Sequence, residues 1–165
     1  MGMTLVLLSQ LKLSSQDTTV ANIRFSELLE GPDLTLMEFS WIPGVSRVKR
    51  GLHIHDRPVP MDGNCTETGV HFDRQSRSNH GSFNSTVRHL GDLGNTHMND
   101  FEIIFNTPFQ EIVSNLNLLS VVMHEKEDGL GMGGTKESLE TGSAGGRAAC
   151  SNIQKKLCFP WQTCA

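Results

Sequence analysis

Apolar residues along this chain gather in short runs separated by polar and glycine-rich stretches, not in long stripes at helical spacing. The runs predict strands at residues 3–8, 20–25, 34–41, 50–55, 101–105 and 116–124. Within the fourth, GLHIH (51–55), residues two apart share one face of an extended strand. His53 and His55 therefore point the same way while Ile54 is free to face a core. The last run, LLSVVM (118–123), reads as a buried strand that ends on His124. Residues 69–95 have no sustained period and are rich in Gly, Ser, Asn and Asp, which predicts a long loop. A loop of that length needs a reason to be ordered.

Histidine supplies the reason. Six of the seven histidines fall in one ordered series: His53, His55, His71, His80, His89 and His124, with Asp92 three residues after His89. Three imidazoles and a carboxylate (His71, His80, His89 and Asp92) make a closed tetrahedral set suited to zinc, and such an ion would staple the loop. Six imidazoles and one carboxylate are too many for a single tetrahedral ion. Four imidazoles (His53, His55, His71 and His124) suit a tetragonal copper(II) site, and His71, common to both sets, would bridge the two metals as an imidazolate.

With these residues in this order the chain resembles the copper/zinc superoxide dismutase family. The similarity is dense from Gly51 to Cys150, where GLHIH, CTETGVHF, RHLGDLGN, VVMHEKEDGLGMGG and SLETGSAGGRAAC match five family blocks in register. The resemblance implies an all-β fold, an eight-stranded Greek-key β-barrel (an immunoglobulin-like sandwich) with two long functional loops. The first loop spans about residues 56–95. The second, at about residues 125–147, looks like the family's electrostatic loop, with a short helical turn expected at 136–140. The implied activity is that of a superoxide dismutase, which converts superoxide to dioxygen and hydrogen peroxide by alternate reduction and reoxidation of copper. His71 would carry a proton, acting as acid and base in turn. Arg147 would attract and hold the anion, Thr141 would narrow the channel opposite it, and Asp128 would link the free nitrogens of His55 and His80. Cys65 and Cys150 sit at the family's disulfide spacing. A second pair, Cys158 and Cys164, lies in KKLCFPWQTCA, which the compact family core lacks; a local loop, a link to another chain and no bond at all remain open for it. These readings divide the chain into a dismutase-like domain at 1–154 and a C-terminal extension at 155–165.

Composition adjusts this picture in a few places. The 165 residues suffice for one domain with a sizeable core, and sixteen glycines suit a turn-rich β protein. A net charge of −4 runs against an anionic substrate, but only the local field steers. Lys136 and Glu140 stand where many family members carry an acid and a base respectively, while Lys126 and Glu137 keep their usual signs. Attraction is therefore expected to survive with an altered ionic-strength dependence. No basic patch with interleaved aromatics argues for nucleic acid, and no segment approaches the length that spans a bilayer. The N-terminal apolar run has no basic n-region or evident cleavage site, whereas the sequons at Asn64 and Asn84 and the four cysteines lean toward an extracellular rather than a cytoplasmic location. DRPVPMDGN after His55, Leu118 and Leu119 before the last histidine strand, and SNIQKK after Cys150 all depart from the family pattern. The resemblance implies a homodimer, and those departures weaken it and imply an altered interface. They also raise a rival reading, a non-catalytic copper/zinc-binding protein on the same fold. Arg147, Thr141 and Asp128 favour the enzyme because storage alone does not need them, and the lack of a Cys-x-x-Cys argues against a copper chaperone.

Overall fold

Burial alternates residue by residue in the strand Thr35–Trp41, where Thr35, Met37, Phe39 and Trp41 are buried and Leu36, Glu38 and Ser40 face outward. That period of two gives the strand one apolar face, and the remaining strands wrap around the same core. The computed structural model describes residues 3–74, 79–162 and 164. Among these residues the strands are β1 (Thr4–Leu13), β2 (Thr19–Glu27), β3 (Thr35–Trp41), β4 (Gly51–His55), β5 (Asp92–Asn95), β6 (Phe101–Phe105), β7 (Ser120–His124), β8 (Arg147–Asn152) and β9 (Gln154–Cys158). Two short helices join them, α1 (Phe109–Ser114) and α2 (Lys136–Thr141). Neighbouring strands run antiparallel in the order β5-β4-β7-β8-β1-β2-β3-β6, and β9 also pairs with β1. The chain crosses from one end of this path to the other between β3 and β4 and returns between β5 and β6, a Greek-key connection that makes a nearly closed eight-stranded barrel.

Phe25, Phe39, Phe105, Leu52 and Ile54 are fully buried at the centre. Between the ends of the path, Arg88 acts as a latch. Its buried guanidinium donates to the carbonyls of His89 (2.6 Å) and Leu90 (3.1 Å) on the β5 side, and to the Asn106 carbonyl (2.5 Å) and Thr107 Oγ1 (2.7 Å) just past β6. A buried guanidinium is tolerable only when its fork is satisfied in this way.

Several sequence expectations need correction. The long loop expected at 69–95 closes with a short strand, because β5 finds backbone partners on the edge of β4. The strand expected at 116–124 starts only at Ser120, and Leu116–Leu118 form a 3-10 turn after α1. β1 runs on to Leu13, well past the expected end at residue 8. β9 continues β8 beyond Ile153 in the same register along β1, from Lys12 opposite Cys150 to Thr4 opposite Cys158. The second cysteine pair closes a local loop, Cys158 to Cys164, with a Cα–Cα distance of 5.9 Å. Residues 1–2 at the head of the N-terminal apolar run, 75–78 within the long loop, and 163 and 165 near the C-terminus lie outside the described residues. Among the described residues no helix is long and apolar enough to cross a membrane.

The other disulfide, Cys65 to Cys150, ties the loop after β4 to β8 across 85 residues, with a Cα–Cα distance of 5.7 Å. In the chain-entropy model a loop of this size is worth about 4 to 5 kcal/mol.

Candidate metal centre

β4 carries His53 and His55 on one face and drops the fully buried Ile54 into the core between them. β7 lies beside β4 and delivers His124 at its end. The loop after β4 returns as a thin layer: His71 bridges to His55, Phe72 N donates to the Ile54 carbonyl (2.8 Å), and Gly91 N donates to the Phe72 carbonyl (2.8 Å). Gly91 makes this approach possible, since a Cβ there would sit 2.2 Å from the Ile54 carbonyl oxygen. Asp92 follows at the start of β5, directly opposite His53. All six histidines of the series and Asp92 are buried.

Each ring in the first group has one nitrogen anchored and one released. His55 Nδ1 lies 3.3 Å from the Gly69 carbonyl and His124 Nδ1 lies 3.0 Å from the Gly145 carbonyl. Their Nε2 atoms face each other at 3.3 Å. His53 Nε2 meets Asp128 Oδ2 at 2.6 Å, and His71 Nδ1 meets Asp92 Oδ1 at 2.9 Å. This leaves His53 Nδ1 and His71 Nε2 buried with no hydrogen-bond partner. One nitrogen from each of these four rings lies within 4.8 Å of the others. Buried ring nitrogens without partners are costly in a folded protein, and a cation between them removes the cost.

A second group converges on one carboxylate oxygen. Asp92 Oδ1 lies 2.9 Å from His71 Nδ1, 2.9 Å from His80 Nδ1 and 3.3 Å from His89 Nδ1. His80 Nδ1 has no aligned hydrogen bond despite that proximity. The other oxygen, Oδ2, accepts from Gly81 N (3.0 Å) and His89 N (2.9 Å), which fixes the carboxylate. A nitrogen of His53 also falls within 4.8 Å of the His71, His80 and Asp92 ligand atoms. Its Nε2 is committed to Asp128, however, so His53 belongs with the first group and His89 with the second.

Asp128 joins the two groups, but not through the expected pair. Its carboxylate meets His53 Nε2 (2.6 Å) and His80 Nε2 (2.8 Å), while His55 turns its Nδ1 to the Gly69 carbonyl instead. His53 and His55 share a face of β4, so spacing could not separate them. Asn95, at the end of β5, holds Asp128 in place by accepting from its N–H (2.7 Å) and donating to its carbonyl (3.0 Å). Gly142 caps α2 at φ 74° and packs against this contact, where an added Cβ would lie 2.1 Å from Asp128 Oδ1 and 2.6 Å from His80 Nε2. Gly142→Ala is therefore expected to destabilise the protein by about 1 to 3 kcal/mol and to weaken zinc uptake. Denaturant unfolding and a zinc titration check this, and a variant with unchanged zinc affinity would remove Gly142 from the support of the site.

Above the first group lies a cleft of about 710 Å³ lined by His55, His71, His124, Thr141 and Arg147 among others. Arg147 opens β8 with its guanidinium pinned by the loop beside the disulfide. It donates to the carbonyls of Cys65 (3.2 Å), Thr66 (3.1 Å) and Gly69 (2.5 Å) and to Thr68 Oγ1 (2.9 Å). Thr141, at the end of α2, shares the cleft wall and is exposed.

Charge in the site follows from burial and neighbours. Burial, reinforced by neighbouring imidazoles, pushes His53 and His55 well below the usual histidine range; His71 is lowered by burial against the pull of Asp92; and burial brings His124 down to about 4. Burial also opposes the charged form of His80, but the carboxylates of Asp128 and Asp92 outweigh it and raise the ring to about 9. Burial would raise Asp92 too, yet the close approach of the His71, His80 and His89 ring nitrogens holds it well below the usual carboxylate range. Burial lowers Arg147, partly offset by Asp56. The neutral rings of His53, His55, His71 and His124 are donors ready for a divalent metal ion, whereas an ion beside Asp92 would have to displace the proton of His80.

The structure thus brings together the six histidines, Asp92, Asp128, Thr141 and Arg147, with Asp128 on a different partner than expected. Arg88, Asn95 and Gly142 were not foreseen. Arg88 adjoins His89 in RHLGDLGN, which is the one trace of its role in the sequence.

The family described as copper/zinc superoxide dismutase (SODC) matches residues 20–153. The Cu-Zn superoxide dismutase A of Xenopus laevis is 38% identical over 135 residues, covering 79% of this chain and 86% of that protein. The extracellular Cu-Zn superoxide dismutase of Drosophila melanogaster is 38% identical over 117 residues, covering 68% of this chain, and the chain spans 64% of that relative's length. Among solved structures, the clock protein EA4 superposes with a TM-score of 0.72 at 27% identity, over 93% of this chain and 96% of that one.

Proposed function

The chain belongs to the copper/zinc superoxide dismutase family, and from that premise we propose that it converts superoxide to dioxygen and hydrogen peroxide in the cleft between His71 and Arg147. The observation that carries this reading is a guanidinium fixed at the mouth of a four-nitrogen pocket. Copper would be held by His53 Nδ1 and by Nε2 of His55, His71 and His124. Zinc would be held by Nδ1 of His71, His80 and His89 with Asp92 Oδ1. When bound, copper supplies a one-electron acceptor and donor, so that one superoxide ion is oxidised and the next reduced, while zinc with its filled d shell supplies charge and order.

The protein's own residues do the rest. Arg147 draws the anion in, hydrogen-bonds it and offsets charge on the reduced product. Because its fork already rests on four acceptors, the guanidinium is oriented before the anion arrives. His71 Nε2 takes a proton and returns it to the reduced oxygen product, while Nδ1 stays on the Asp92 side. Asp128 holds the tautomers of His53 and His80 through their Nε2 atoms. Thr141 narrows the cleft opposite Arg147.

The test is superoxide decay, followed after a radiolytic pulse, with the chain reconstituted with copper and zinc beside a metal-free sample and an equal amount of free copper. Decay well above free copper is expected. Uptake of both metals without such decay would leave the non-catalytic metal-binding reading in its place.

A further inference from the structure

We propose that Asn84 is a site of N-linked glycosylation, carrying an oligosaccharide on the outer turn between His80 and His89. Asn84-Ser85-Thr86 places a threonine hydroxyl two residues after an asparagine, the pattern that the oligosaccharide-transferring enzyme of the secretory pathway accepts. The transfer is a substitution at the anomeric carbon of a sugar chain borne on a lipid pyrophosphate. That carbon's bond to the pyrophosphate oxygen breaks, its bond to Asn84 Nδ2 forms, Nδ2 gives up one proton, and the lipid pyrophosphate leaves. The folded chain then has to tolerate a bulky, hydrated group at that nitrogen.

The turn can accept such a group. Ser85 N donates to the Ser82 carbonyl (2.9 Å), Ser82 Oγ donates to Asn84 Oδ1 (2.7 Å), and Val87 N donates to Ser85 Oγ (3.2 Å), so residues 82–87 are held by their own polar groups. The amide oxygen of Asn84 is the atom that serves the turn, and the nitrogen is the atom that would carry the sugar. Asn84, Thr86 and Val87 are exposed, whereas Phe83 packs on the core and Arg88 is buried. The turn is therefore anchored from behind while Asn84 stands outward. Among the described residues, none from 81 to 88 lines the cleft, so a sugar at Asn84 lies clear of the anion's path. The other sequon is the poorer candidate. Asn64 is half-buried, and its Oδ1 accepts from Thr66 N (3.1 Å) and from Thr66 Oγ1 (2.7 Å). Cys65 between them is fully buried and bonded to Cys150. The carbonyls of Cys65 and Thr66 also hold Arg147, so a sugar at Asn64 would crowd the segment on which the guanidinium rests.

The test is expression of the full chain behind a secretion signal in cultured animal cells, with protein recovered from both medium and cells. Peptide-N-glycosidase, which releases the sugar and converts a glycosylated asparagine to aspartate, is expected to speed migration on a denaturing gel and to leave aspartate at position 84 in the peptide mass spectrum. Asn84→Gln and Thr86→Ala should each lose the sugar from this peptide, Thr86→Ser should keep it because the hydroxyl remains, and Asn64→Gln should leave it unchanged. Thermal melts guard against misfolding: exposed substitutions of this kind should move the melting temperature by no more than about 2 °C. Recovered protein whose position 84 is still asparagine after the enzyme treatment would overturn the proposal, as would sugar found at Asn64 alone. Neither result bears on superoxide decay, so the glycan and the dismutase reading stand or fall separately.

Discussion

Removing both metals by chelation is expected to lower the melting temperature by about 15 °C or more. The reason lies in the buried nitrogens. Without ions, His53 Nδ1 and His71 Nε2 are enclosed and unpartnered, and His80 Nδ1 makes no aligned hydrogen bond although Asp92 Oδ1 lies 2.9 Å away. Each such group costs about 1 to 3 kcal/mol, and a domain of this size moves about 2 to 4 °C per kcal/mol. The loop between β4 and β5 has little regular structure of its own, being held by the Cys65–Cys150 disulfide, a few backbone bonds and the convergence of His71, His80 and His89 on Asp92. Zinc added alone should therefore restore most of the loss, and copper the remainder. Scanning calorimetry of the metal-free, zinc-only and fully loaded protein decides this; a metal-free protein melting within a few degrees of the loaded one would show that the loop does not depend on its ions. The zinc step should also depend on pH. In the metal-free protein His80 keeps its proton up to about 9. Zinc must displace that proton, so its apparent affinity should fall by about tenfold for each pH unit below that value.

Arg147→Ala is expected to lower kcat/KM for superoxide by about 10- to 100-fold while changing stability little. The two effects separate because of where the guanidinium sits. It is half-buried and its acceptors are the carbonyls of Cys65, Thr66 and Gly69 and the Thr68 hydroxyl, which water entering the vacated space can satisfy. Water does not replace the fixed positive charge over His55, His71 and His124. Arg147→Lys should recover part of the loss, since the charge returns without the fork that meets several acceptors at once. Rate measurements across ionic strength, beside thermal melts, check both statements. An alanine variant within twofold of the unaltered protein would remove Arg147 from the handling of the anion.

How much of this was legible in advance differs from segment to segment. β3 and β4 were foreseen because their side chains alternate or sit between glycine and loop signals, and the sheet context agrees with the local pattern. β5 was hidden inside a loop because Asp92–Asn95 is only four residues of mixed polarity; it is a strand because β4 offers an edge. β9 was missed for a similar reason. Its residues are mostly exposed and polar, and they extend only because β1 continues the register that β8 begins. A short helical turn was expected at 136–140 and α2 runs one residue further, yet its capping by Gly142 against Asp128 appears only when the two loops are folded together.

The same division runs through the metal centre. By itself the sequence determined the supply of donors and their order along the chain, because metal ions accept few side-chain types and GLHIH, the long polar segment after it and the end of the last apolar run carry them at characteristic spacings. It also determined that His53 and His55 share a face, since the period of a strand is a local property. Only the tertiary structure decided which nitrogen of each ring is anchored, that His53 and not His55 meets Asp128, and that Glu140 rather than Lys136 lines the cleft. Those choices depend on hydrogen bonds and packing between segments far apart in the chain: β4 against the loop after β7, and α2 against His80. Residue spacing carries no information about such contacts until the barrel has closed.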